Sequence, residues 1–135
     1  MKRCRPASFA IRRRDAASLA AALGLLLLAG QAGHAAAGDP ARGEALYKGC
    51  KDCHSIESND VGPMHKGVVG RTAGTVAGYD YSPALKQSKI VWTEDNLDKW
   101  LTNPEALVPG TKMFFDVESP QDRADIIAFL KQRAR

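Results

Sequence analysis

The sequence predicts an all-α chain in which three main helices and a few short helical turns are joined by long loops. Three segments begin with helix-capping residues, at Asp39-Pro40, Thr93-Glu94 and Ser119-Pro120. A glycine-rich stretch follows the first of them and favours looped backbone over long helices. Its glycines are Gly62, Gly67, Gly70, Gly74 and Gly78. No segment has the sustained alternation of apolar and polar residues that is typical of a β-strand.

The first helix is expected to begin at Pro40, because aspartate is a favoured N-cap and proline a favoured first helical residue. Small and apolar residues then recur at helical spacing as far as Cys50, where we expect this helix to end. After the glycine-rich stretch, the segment from Tyr81 to Lys86 is predicted to form a single helical turn.

The second helix begins at Thr93, and we expect Leu97, Trp100 and Leu101 on its buried face. Asn103-Pro104 ends this helix and can begin another turn, because proline cannot continue a helix that precedes it. The third helix begins at Ser119-Pro120 and continues to the C-terminus. Its predicted buried stripe consists of Ile126, Ile127, Phe129 and Leu130.

The charges are distributed unevenly along the 135 residues, which contain 19 basic and 15 acidic side chains. Residues 1–37 carry six bases and one acid, a net charge of +5, so the other 98 residues carry 13 bases and 14 acids, a net charge of −1. The basicity therefore belongs to the first segment, and a nucleic-acid-binding domain is not supported. Three cysteines are too few for a disulfide-rich scaffold.

Residues 1–37 have the pattern of an export signal peptide. A basic stretch that ends at Arg14 precedes an apolar run, and Ala35-Ala36-Ala37 provides a small-residue cleavage site before Gly38. A retained membrane anchor is the alternative, because the apolar run approaches the length that spans a bilayer. We expect a single domain, residues 38–135, located in the periplasm, with Cys4 removed together with the leader.

This domain has fewer than a hundred residues, and much of it lies in glycine-containing loops. Its apolar core is too small to offset the loss of chain entropy without an additional stabilising element. The sequence therefore predicts a prosthetic group in the middle of the fold.

Cys50-Lys51-Asp52-Cys53-His54 is the pentapeptide to which a c-type haem is attached. Two thiols three positions apart can bind the two vinyl groups of one haem, and the adjacent histidine can bind its iron. Three alternatives are weaker. A zinc site needs four ligands, of which only His65 would be a further strong candidate. A thioredoxin-like pair needs a βαβ unit, and a simple disulfide leaves His54 without a role.

The sequence resembles the class I cytochromes c, in particular the mitochondrial-type and bacterial periplasmic branch. The resemblance extends over nearly all of residues 38–135 and implies a small cytochrome c fold wrapped around one covalent haem. Besides the haem pentapeptide, the matching blocks are Gly38-Asp39, Gly43, Tyr47, Val61-Gly62-Pro63, Gly67-Val68-Val69-Gly70-Arg71, Ala73-Gly74, Gly78-Tyr79-Asp80-Tyr81-Ser82, Ile90-Val91-Trp92-Thr93, Trp100-Leu101-Thr102-Asn103-Pro104, Pro109-Gly110-Thr111-Lys112-Met113 and Arg123-Ala124-Asp125-Ile126-Ile127-Ala128-Phe129-Leu130.

The resemblance also implies roles for individual residues. His54 and Met113 are implied to be the two axial ligands of the iron, and Pro63 to accept the ring N–H of His54 through its carbonyl. Gly43 matches the point at which the N-terminal and C-terminal helices cross. The residues implied to bind the haem propionates are Arg71, Tyr81 and Trp92.

Some positions depart from the family pattern. His65 replaces a leucine that normally packs on the haem, and we expect this imidazole to be partly exposed. Trp100 stands where many relatives carry a tyrosine near the methionine sulfur. The sequence therefore does not decide whether Trp100 donates a hydrogen bond to this sulfur. The loop after Met113 lacks the glycine that the family usually has there, and it is about one residue shorter than the family pattern.

A haem with two protein ligands leaves no open iron position, so we expect electron transfer rather than enzyme catalysis. The sequence predicts a soluble monomeric one-electron carrier of a respiratory or photosynthetic chain. The implied donors are a quinol:cytochrome c reductase or a periplasmic dehydrogenase, and the implied acceptors are a terminal oxidase, a photosynthetic reaction centre or a peroxidase. The alternative is a ligand-binding haem protein, a gas sensor or scavenger, with a labile methionine ligand.

Overall fold

The computed structural model describes residues 37–133. The signal peptide predicted over residues 1–37, like the anchor that is its alternative, lies outside the described residues apart from Ala37, and stays a prediction. Among the described residues, no helix combines the length and the apolar character that crossing a membrane requires.

Five α-helices and one 3₁₀ turn make up the regular structure of the described residues. In chain order they are α1 Pro40–Leu46, the 3₁₀ turn Tyr47–Cys50, α2 Pro83–Gln87, α3 Glu94–Thr102, α4 Pro104–Leu107 and α5 Pro120–Arg133. Pairing between extended segments is limited, within residues 37–133, to an isolated bridge between Thr72 and Val91. The predicted all-α class, with three main helices and short helical turns, is therefore confirmed.

Side-chain caps fix where the helices begin. The Asp39 carboxylate accepts the backbone N–H groups of Ala41 and Arg42, and Thr93 Oγ1 accepts that of Asn96 at 3.1 Å. The turn predicted from Tyr81 is a helix that begins at Pro83, two residues later. Ser82 caps it by accepting the Leu85 N–H at 3.2 Å, and proline at the first position favours this register.

Helices α1 and α5 cross at Gly43, as the resemblance implied. A Cβ atom at Gly43 would lie 1.9 Å from the backbone oxygen of Asp125, so only glycine permits this approach. The apolar stripe of α5 is buried as predicted and packs with Leu97, Trp100 and Leu101 of α3 in the core.

A buried carboxylate ties the two crossing helices together. Asp125 on α5 is 1% exposed, and it accepts the Asp39 N–H at 2.7 Å and the Gln121 side-chain amide at 2.8 Å. The Arg42 guanidinium also donates to it. The Asp39 N–H, followed by Gln121 and Arg42, lowers the pKa of Asp125 below the ordinary aspartate value of 3.8.

This pKa predicts acid sensitivity of the helix crossing. Because the pKa is lower in the folded state, the stabilisation is complete above pH 3.8 and is lost as the pH falls through the folded pKa. We expect Asp125→Asn to lower the melting temperature at pH 7 and to flatten its fall in acid. Thermal unfolding followed by circular dichroism between pH 2 and 7 measures both effects.

Asp122→Asn is the matched control for this prediction. Asp122 binds the same Arg42 at 2.5 Å, but it is more exposed and makes an ion pair on the surface. We expect this change to have little effect at any pH. Equal effects of the two substitutions would contradict the role assigned to the buried carboxylate.

Candidate functional site

The predicted site residues line one cavity of about 530 Å³. The cavity receives side chains from the 3₁₀ turn, the glycine-rich loops, α3, the loop before α5, and α5 itself. All eight predicted residues contribute to its wall: Cys50, Cys53, His54, Pro63, Arg71, Tyr81, Trp92 and Met113. Its volume and its largely apolar wall are typical of a cofactor site.

The two thiols lie on a tight turn that follows the 3₁₀ segment. The backbone N–H groups of Cys53 and His54 both donate to the Cys50 carbonyl oxygen, at 3.2 and 2.8 Å. The two cysteines do not form a disulfide, and Cys50 is the more buried of the two. Burial raises the pKa of Cys50 to about 11, with a smaller contribution from Cys53. As a thiol, Cys50 is therefore protonated at neutral pH.

The ring of His54 is fixed by its backbone surroundings. Its Nδ1 lies 2.8 Å from the Pro63 carbonyl oxygen and donates to it, which leaves Nε2 as the free nitrogen. A Cβ atom at Gly62 would lie 2.3 Å from Cε1 of this ring, so the chain needs glycine here. Burial lowers the pKa of His54, and the Pro63 bond opposes this shift. The neutral ring can therefore act as a ligand.

Met113 lies at the end of a loop that turns at Gly110. The positive φ of 86° at Gly110 favours glycine, and its N–H donates to the Glu105 carboxylate at 3.0 Å. Trp100 Nε1 donates to the Met113 sulfur at 3.1 Å. The sequence alone did not decide whether Trp100 binds this sulfur. In the structure the indole N–H is the hydrogen-bond donor to it.

Arg71 contacts the loop that follows His54. Its guanidinium donates to the backbone oxygens of Lys66 at 2.5 Å and Met64 at 2.9 Å. Tyr81 and Trp92, the other two residues implied to bind propionates, are buried and line the same cavity. The structure thus brings the three donors to one site, and their role toward propionates stays a prediction.

His65 keeps the partial exposure expected of it, but its ring lines the cavity and contacts other site residues. It stacks on the His54 ring with centroids 4.1 Å apart, and its Nδ1 lies 2.9 Å from the Tyr47 hydroxyl. Burial, with smaller contributions from His54 and Arg71, lowers its pKa to about 3, so this ring is neutral at pH 7. Neither contact could be predicted from the sequence, because each joins residues that are well separated along the chain.

The side chains fit a covalently attached haem. The two thiols, the free Nε2 of His54 and the Met113 sulfur all border one cavity. Gly62 provides the space that the His54 ring needs. Among residues 37–133, no group of three or more His, Cys, Asp or Glu side chains is arranged to share a metal ion.

Comparison with known proteins agrees with this geometry. The family model described as Cytochrome c matches residues 40–134. The chain belongs to the cytochrome c family. Proteins of this family are electron carriers rather than enzymes, and they carry a covalent c-type haem. In this cytochrome c, Cys50 and Cys53 stand in the CxxCH arrangement that binds the covalent haem of the family.

Individual relatives cover most of the cytochrome c domain. Cytochrome c2 of Rhodomicrobium vannielii is 52% identical over 99 residues, which are 70% of this chain and 79% of the relative. Cytochrome c2 of Blastochloris viridis is 45% identical over 113 residues, 81% of this chain and 89% of the relative. These relatives support an electron carrier of bacterial respiratory or photosynthetic chains.

Solved structures confirm the cytochrome c fold. Cytochrome cH from Methylobacterium extorquens has a TM-score of 0.69 at 48% identity, covering 71% of this chain and 100% of that one. Ferricytochrome c2 from Rhodopseudomonas palustris has a TM-score of 0.66 at 40% identity, covering 69% of this chain and 96% of that one.

Proposed function

We propose that this cytochrome c is a soluble, monomeric, periplasmic one-electron carrier whose haem iron is bound by His54 Nε2 and Met113 Sδ. The observation that carries the proposal is that two side chains able to bind iron, a neutral imidazole and a thioether, line the same cavity and are each held by one hydrogen bond. His54 is fixed by the Pro63 carbonyl, and Met113 by the Trp100 indole. The periplasmic location rests on the predicted leader and on the relatives named cytochrome c2.

The His54–Pro63 bond supports the assignment of the first ligand. A carbonyl that accepts the Nδ1 proton fixes the tautomer, orients the ring and makes Nε2 a stronger base. The two thiols precede His54 on the same turn, so their attachment fixes its distance from the iron.

The Trp100–Met113 bond supports the second ligand. A thioether sulfur has lone pairs enough to accept an indole N–H and bind iron at once. As a soft ligand it favours the ferrous state and raises the potential relative to a second histidine. Trp100 is buried against Trp92, with ring centroids 5.1 Å apart, so the donor is held in place.

When bound, the haem supplies a reversible one-electron couple. His54 and Met113 would bind its iron, which would leave no coordination position for a substrate. Arg71, Tyr81 and Trp92 are the donors available for the propionates, which need hydrogen bonds where they are buried. This arrangement favours outer-sphere transfer between partner proteins.

An exposed apolar surface borders the same cavity. Phe114 is 76% exposed and Phe115 53% exposed, and both line the cavity directly after Met113. Exposed aromatic residues of this kind are typical of protein interfaces. The charges around them are mixed, since Lys112 is paired with Asp80 at 3.0 Å and Asp116 is exposed. We infer that this surface is the electron port.

The proposed partners follow from this role. The donor is a quinol:cytochrome c reductase or a periplasmic dehydrogenase. The acceptor is a terminal oxidase, a photosynthetic reaction centre or a peroxidase. The mixed charge of the port predicts that docking depends only moderately on salt.

Spectroscopy of the purified protein tests the proposal. We expect reversible one-electron reduction, a far-red absorption band from the thioether–iron bond in the ferric form, and no carbon monoxide binding to the ferrous form at pH 7. An intact mass that equals residues 38–135 plus one haem tests leader removal. Carbon monoxide binding at pH 7 would contradict the proposal and favour the alternative, a ligand-binding haem protein.

A further inference from the structure

We propose that His65 is a positioning residue, which fixes the ring plane of His54 and lowers the reduction potential by stacking on it. The inference rests on the proposed function, because it takes His54 as the axial ligand. A leucine at this position would offer neither a planar ring nor a hydrogen-bonding nitrogen.

The His65 ring is held between His54 and a core residue. The two imidazoles stack with an interplanar angle of 23° and centroids 4.1 Å apart. On its other side, His65 Nδ1 lies 2.9 Å from the Tyr47 hydroxyl. Tyr47 is 1% exposed and packs on Phe129 of α5, with ring centroids 5.0 Å apart. The position of His65 is thereby tied to the helical core.

The backbone that carries His65 is also fixed. The N–H groups of His65 and Lys66 donate to the carbonyl oxygens of Ser55 and Ile56, at 2.9 and 2.8 Å. Arg71 donates to the carbonyl oxygens of Met64 and Lys66, the two residues that flank His65. This loop therefore runs beside the chain that follows His54 and is clamped on both sides of the imidazole.

These contacts complete a cage around the His54 ring. The Pro63 carbonyl binds one nitrogen, the Gly62 backbone lies so close to the ring that a Cβ atom would collide with it, and His65 covers one face. The face of an aromatic ring is electron-rich, and an axial imidazole carries more positive charge when the iron is ferric. Stacking therefore stabilises the ferric state, which lowers the potential.

His65→Leu in the haem-loaded protein is the main test. We expect the potential to rise by the equivalent of about a threefold change in the ferric-to-ferrous ratio, which is about 28 mV for one electron. We also expect the haem-methyl proton shifts of the ferric form to change, because they report the plane of the axial imidazole. His65→Phe, which keeps a planar ring, should restore much of both properties.

Tyr47→Phe tests how His65 is held. We expect a smaller change of the same sign, and we expect the double variant with His65→Leu to behave like His65→Leu alone, because Tyr47 acts through His65. Additive effects would overturn this part of the proposal. Met64→Leu is the matched control on the neighbouring residue and should leave the potential and the methyl shifts unchanged.

The outcomes separate this proposal from the proposed function. An unchanged potential and unchanged methyl shifts in His65→Leu overturn the positioning role. So does a His65→Phe variant that is indistinguishable from His65→Leu. All of these variants should keep the far-red thioether band, since none of them touches Met113. Absence of this band in the wild-type protein would refute the axial assignment instead.

Discussion

Replacement of both Cys50 and Cys53 by serine is expected to leave the chain without stable haem and largely unfolded. An empty cavity of about 530 Å³ would cost at most about 13 kcal/mol at the roughly 24 cal/mol per Å³ measured for engineered cavities. That is comparable with the whole stability of a typical domain, about 5–15 kcal/mol. Circular dichroism measures the loss of the fold. The haem-to-protein absorbance ratio after purification under denaturing conditions measures the loss of attached haem.

The single variants are the controls for this experiment. Cys53→Ser keeps the more buried thiol, so we expect one thioether, retained haem and a lower melting temperature. A doubly substituted chain with wild-type helical content and a cooperative thermal transition would contradict the dependence of the fold on the cofactor.

The fold could be predicted from the sequence because its determinants are local. The caps at Asp39, Thr93 and Ser119 each bind backbone N–H groups within three residues, so the start of each helix is encoded where it begins. The haem pentapeptide is local in the same sense. The crossing at Gly43 is a contact between the ends of the domain, and it was predicted from the resemblance alone.

The contacts in the site that could not be predicted from the sequence join residues that are far apart along the chain. Tyr47 meets His65 across 18 positions, and Trp100 meets Met113 across 13. Their pairing depends on how the loops pack, which no periodicity or capping pattern encodes. The contact of Gly62 with the His54 ring is similar, since a glycine before a proline signals only a turn.

Met113→Ala is expected to keep the haem attached, abolish the far-red thioether band, lower the potential and open the iron to carbon monoxide. The fall should be on the order of 0.1 V, within the roughly 0.8 V that axial ligands span. Alanine offers no donor atom, and the Trp100 N–H loses its sulfur acceptor. Optical redox titration and carbon monoxide difference spectra measure these changes. The amine of Lys112, which directly precedes Met113, could replace the methionine as a ligand only by leaving Asp80. It donates to the backbone oxygen and the carboxylate of Asp80 at 2.9 and 3.0 Å.

Met64→Ala is the matched control, because Met64 is the other methionine of the described residues and is likewise partly buried against the core. Its backbone is bound by Asn59 and Arg71 on the loop that follows His54, directly after the Pro63 carbonyl. Met64 thus contributes only its backbone to these hydrogen bonds, whereas the Met113 sulfur accepts one from Trp100 of α3 and lies fifty-nine residues beyond His54 in the chain. We therefore expect Met64→Ala to preserve the far-red band and the potential. Loss of the band in Met64→Ala, with its retention in Met113→Ala, would reverse the assignment of the second ligand.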